Sequence, residues 1–133
     1  MEEKTFPCTS EGLAASQAFL ETLCDSPKPA IVLDEIVSNI VRCSGASGFT
    51  LALDRAADAL TMVFSDDGVA FDPTRDVETP DVGAAIEDRQ IGGLGIFMVK
   101  KMAKSVAYAR RDGKNVLTVV MGDGDESKNH RQG

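Results

Sequence analysis

The feature that most constrains this chain is a change in the period of its apolar residues. From Pro29 onward, Leu33, Ile36, Val37, Ile40 and Val41 recur at helical spacing, while Asp34, Glu35, Ser38, Asn39 and Arg42 share the opposite stripe. Pro29 suits the first turn of that helix, where an N–H would go unpaired anyway, and the glycines of SGASG end it. An earlier helix is predicted with Thr9 or Ser10 as its N-cap and Leu13, Ala14, Gln17, Leu20 and Leu23 in phase, stopping before DSPKP. The period then drops to two. Phe49 to Asp54 and Leu60 to Ser65 are β-rich runs around a short Asp/Ala turn, and Val106 to Arg110 and Val116 to Met121 flank the turn sequence Asp112, Gly113, Lys114, Asn115. A short run from Lys4 to Cys8 could add an edge strand, with Pro7 tolerable only near its end.

Between the two hairpins, residues 72–90 lack periodicity and contain Pro73 and Pro80, which predicts a long loop; Ile96 to Ala103 returns to helical spacing before Lys104. The order β-α-α-β-β-loop-α-β-β predicts an α+β two-layer sandwich, a mixed, largely antiparallel sheet with helices on one face. At 133 residues there is room for one core, so residues 1–121 are expected to form a single domain and residues 122–133 a disordered tail.

The formal net charge is -7, the wrong sign for gripping a phosphate backbone, so nucleic acid is not an expected partner. Its distribution is uneven. From Asp54 to Gly93 ten acids face three bases, a local net of -7, whereas Leu94 to Val120 carries six bases against Asp112 alone. Cys8, Cys24 and Cys43 are odd in number and form no CxxC pair, which favours reduced thiols over a disulfide framework or zinc site. No apolar leader or bilayer-length run is visible, so the expectation is a cytoplasmic protein without a membrane partner.

Three signals could carry chemistry, and each has a plain alternative. Glu35 and Asn39, one turn apart, could be solvated helix surface; DDGVAFDP could be a turn after a strand. GGLG before a helix lets backbone amides approach an anion, yet glycine-rich linkers are common. No GKS or GKT follows it and the GxGxxG spacing is absent, so it is neither a Walker A loop nor a Rossmann fingerprint.

Taken in order they gain meaning. A helix with EIVSN, a strand with DDGVA, a long loop and GGLGIF opening a helix resemble the N, G1 and G2 boxes of the GHKL ATPase superfamily, with its Bergerat or histidine-kinase-like ATPase fold. DDGVAFDP and IGGLGIFMVKKM with YARRDGKNVLTV are similar, within that superfamily, to the bacterial anti-sigma-factor serine/threonine kinases, over roughly Phe6 to Met121. The resemblance implies ATP and Mg²⁺ as cofactors. It casts Asn39 as the metal ligand and Glu35 as the catalytic acceptor of the attacking hydroxyl's proton. It also casts Asp66 as the acceptor for the adenine amino group, with Gly68 leaving room for the base, and Gly93, Leu94 and Gly95 as the phosphate-facing turn. Residues 72–90 would be the ATP lid, acidic and mobile, with most acids turned to water or a basic partner and Arg89 nearest the γ-phosphate.

Two positions depart from the pattern. Ala70 stands for the second glycine of DxGxG, and Cys43 stands where the kinases often have a ring; His130 lies in the tail with no readable role, and Asp34, Asp67 and Asp72 could each support the site but read more simply as solvated or capping acids. The partners implied are an anti-anti-sigma protein of the STAS type and a sigma factor, with a homodimer among the assemblies. A non-catalytic, nucleotide-gated binding module remains open as an alternative. So does the ATP-binding piece of a two-component histidine kinase, for which the chain shows no upstream helix pair with a phosphoacceptor His.

Overall fold

Alternating apolar residues lay down the floor of the molecule. In the computed structural model, which describes residues 1–43, 45–70 and 98–122, the elements run β1 (Glu2–Pro7), α1 (Ser10–Glu21), α2 (Pro27–Cys43), β2 (Gly48–Arg55), β3 (Leu60–Asp66), β4 (Ser105–Arg111) and β5 (Lys114–Met121). Residues 98–102 are helical. The sheet order is β1-β2-β3-β5-β4. Every described pairing is antiparallel, so no mixed character appears in the described sheet.

The register stacks one face into rows. Leu51 lies opposite Phe64, Phe64 opposite Leu117 and Leu117 opposite Tyr108; the next row is Leu53, Met62, Val119 and Val106. Helices cover this face. Phe19 and Leu20 of α1, Val32, Leu33, Ile36 and Val37 of α2, and Val99 join the same core cluster as the strand residues. Removal of one such side chain, Phe64→Ala for example, costs about 3–5 kcal/mol. The reverse face carries Thr50, Ser65, Val63, Thr118 and Val120, small or β-branched and all half-buried.

Local chemistry explains the boundaries. Thr9 is the N-cap of α1, its hydroxyl accepting from Gly12 N at 3.0 Å. Gly12 is required by close approach, since a Cβ there would stand 1.8 Å from the Pro7 carbonyl oxygen. Pro7 ends the edge strand β1, where its missing N–H breaks no ladder bond. The β4–β5 loop is only Asp112 and Gly113, both at positive φ (53° and 75°), the signature of a tight two-residue hairpin. The four-residue turn expected there is therefore shorter, and Asn115 belongs to the strand.

The buried arc of α2 is also displaced from its expected position. Val41 is exposed, whereas Val32 is buried, and Asn39 is buried with it rather than lying on the solvent stripe. The arc runs from Asn39 through Val32 and Ile36 to Leu33 and Val37. In α1, likewise, Ser16 and Phe19 are buried while Ala14 is exposed. Which face of each helix meets the sheet is a tertiary outcome that a helical wheel does not contain.

Candidate functional site

At one end of the covered face the apolar rows give way to a polar one. Asp66, the last residue of β3, lies opposite Asn115, and Asn115 opposite Arg110. Asp66 and Asn115 are each only 6% exposed, so their polar atoms need partners. Asp66 Oδ1 accepts from Gly68 N at 2.9 Å and from Asn115 Nδ2 at 3.1 Å. Among the described residues nothing donates to Oδ2, which leaves that oxygen for a ligand amino group.

Asn115 fixes the turn that follows. Its Nδ2 also donates to the Val69 carbonyl at 2.8 Å, while its Oδ1 accepts from the Tyr108 hydroxyl and from Arg110 Nη1 at 3.1 Å. Arg110 Nη1 reaches the Gly68 carbonyl at 2.9 Å as well. Because Tyr108 and Arg110 both donate to its oxygen, the amide is oriented with its N–H groups toward Asp66 and Val69. Asn115, Arg110 and Tyr108 were not assigned to the site from the sequence; the available signal was the alternation of β5, which continues one residue further back, from Leu117 to Asn115.

The second group lies on α2. Asn39 is 5% exposed, Glu35 half-buried one turn before it, and Arg42 exposed. Arg42 Nη2 donates to Asn39 Oδ1 at 2.7 Å, a charge-assisted bond. The Asn39 oxygen is a hard neutral acceptor, the kind of ligand that suits Mg²⁺, and in this structure Arg42 occupies it. Glu35 lies at the edge of the same arc.

Arg89, Gly93, Leu94 and Gly95 lie outside the described residues, as do the lid at 72–90, the tail beyond residue 122 and the side chain of Cys43. Ala70 is exposed beside Gly68, itself half-buried. A cavity of about 300 Å³ opens on the reverse face of the sheet, against Thr5, Thr50, Ser65 and Lys114. Cys8, half-buried nearby, has its thiol pKa raised by burial, with the negative charges of Asp66 and Asp67 adding to the shift; neither Cys8 nor Cys24 is in a disulfide among the described residues. No helix among the described residues is long and apolar enough to cross a membrane.

Comparison with known proteins agrees with this layout. The serine/threonine-protein kinase BtrW of Bordetella bronchiseptica is 29% identical over 114 residues, which span 86% of this chain and 77% of that protein. The Acinetobacter baumannii histidine kinase AdeS superposes over 92% of this chain and 68% of its own, with a TM-score of 0.55 at 15% identity. The catalytic domain of histidine kinase ThkA does so over 92% and 99%, with a TM-score of 0.53 at 13% identity. At such identities the two structures speak for the fold, an antiparallel sheet with helices on one face. The model of the histidine kinase-like ATPase domain matches residues 12–121, from the first turn of α1 to the end of β5. With Asp66 and Asn39 buried at the margin of that fold, the chain belongs to the histidine kinase-like ATPase domain family, the GHKL ATPases, and ATP is the ligand its membership implies.

Proposed function

We propose that this chain is a Mg²⁺-dependent serine/threonine protein kinase that phosphorylates an anti-anti-sigma protein of the STAS type and sequesters a sigma factor. The observation that carries the reading is Asn39, an amide buried on an otherwise apolar helix arc, with the Glu35 carboxylate one turn away. Burying an amide costs stability that an apolar residue there would not, which favours a ligand role for it. The likeness to a protein named as a serine/threonine kinase supports the same reading.

In the proposed reaction Asp66 Oδ2 accepts from the adenine amino group, while Asn115 and Arg110 hold the turn that bears it. The substrate hydroxyl oxygen forms a bond to the γ-phosphorus, the bond to the β–γ bridging oxygen breaks, and ADP leaves with that electron pair. Glu35 takes the hydroxyl proton. Mg²⁺ at Asn39 would supply charge neutralisation of the phosphates. The new phosphate adds a charge of about -2 to the partner protein, which favours its release by repulsion and leaves the kinase available to the sigma factor.

Incubation with γ-labelled ATP, Mg²⁺ and the STAS protein tests the reading. Label on the partner, lost with Glu35→Ala while ATP still binds, is the expected result. ATP binding with no label transferred overturns the kinase and leaves a nucleotide-gated binding module.

A further inference from the structure

A buried amide oxygen needs a donor, and for Asn39 that donor is a charge on its own helix. Arg42 lies three residues on, so the two side chains are neighbours on the helix surface. Its guanidinium is 2.7 Å from Asn39 Oδ1. This is the oxygen that the proposed metal would use, and a guanidinium and a divalent cation at the same acceptor repel each other strongly. We infer that Arg42 is an internal stand-in cation, which holds and orients the Asn39 amide in the metal-free protein and must leave that oxygen before a divalent ion binds. The inference rests on Asn39 being the metal ligand. Arg42 then sets the threshold for metal entry, because every metal-binding event includes the cost of breaking its bond to Asn39.

The coupling between metal and nucleotide measures this directly. The ratio of ADP affinities in excess Mg²⁺ and in EDTA, obtained by calorimetry, cancels any effect of a substitution common to both states. In Arg42→Met the ratio is expected to rise about tenfold, near the lower end for a lost charge-assisted bond because Arg42 is exposed. Arg42→Lys keeps the charge but not the planar fork and is expected to lie between. Asn39→Ala is expected to bring the ratio toward one. A purely structural role for Arg42 would lower the ratio or leave it alone, so a rise is diagnostic.

If the ratio is unchanged or lower in Arg42→Met while Asn39→Ala still collapses it, the stand-in role is overturned and the metal ligand stands. If Asn39→Ala leaves the ratio at its wild-type value, the metal reading falls and takes this inference with it. Should Arg42→Met melt well below the wild type, Arg42→Gln decides by the same ratio.

Discussion

Asp66 and Asn39 are buried to nearly the same degree, 6% and 5% exposed, at the margin of one apolar core, yet they are held by different means. Asp66 is fixed by Asn115, which comes from a strand 49 residues further along the chain, and Asn115 by Tyr108 and Arg110 of a third strand. Asn39 is partnered by Arg42, within its own helix turn. The Asp66 turn, the proposed adenine end, is therefore a product of tertiary structure, with its geometry held by three strands. The Asn39 pair, at the proposed phosphate end, is a contact within one helix that one side-chain movement can rearrange. A base needs a fixed edge to be recognised, whereas a metal and a reacting hydroxyl need groups that can exchange partners.

The largest test of this contrast is Glu35→Gln. Loss of a general base on the helix is expected to reduce phosphoryl transfer by about 10²–10⁴-fold while ATP affinity stays within about twofold, measured by label transfer and calorimetry. Comparable loss in binding and transfer would mean the two ends are one unit. Next comes Asp66→Asn, which removes the carboxylate acceptor at the strand end. ATP affinity is expected to fall about 50-fold, roughly 2.3 kcal/mol, with the fold intact by circular dichroism.

Asn115→Ala separates the two ends by stability as well. It leaves Asp66, the Val69 carbonyl and the Tyr108 hydroxyl short of a partner, so urea unfolding should show a loss of about 2–3 kcal/mol and ATP binding a loss of about tenfold. Equal stability to wild type would show that the strand network does not lock the adenine turn. The smallest effect concerns the field of that turn. The Cys8 thiol pKa is raised by burial and by Asp66 and Asp67, so removing one negative charge favours the thiolate. In Asp67→Asn, Cys8 should be alkylated a few-fold faster near pH 8, read by mass spectrometry of the Cys8 peptide.

Much of the local architecture was legible in the residues. The cap at Thr9 and an edge strand ending near Pro7 follow from chemistry within a few positions, and so does a hairpin turn at Asp112 and Gly113, though not its two-residue length. The pair Glu35 and Asn39 was legible too, because helical spacing alone puts them together. Asn115 was not, since Asn after Gly and Lys reads equally well as turn or strand until its neighbour is known. Nor was Arg42, whose plain reading is a solvated cation at a helix end.

The amino-acid sequence by itself determined most of the described elements and their order, because helical caps, turn residues and hydrophobic period are local properties of the chain. Tertiary structure decided that β5 lies between β3 and β4, that Asp66, Asn115 and Arg110 form one row, and that the buried arc of α2 extends to Asn39. Those outcomes depend on strand register and on which helix face meets the sheet, which are fixed only when distant segments compete to bury their apolar faces in a shared core.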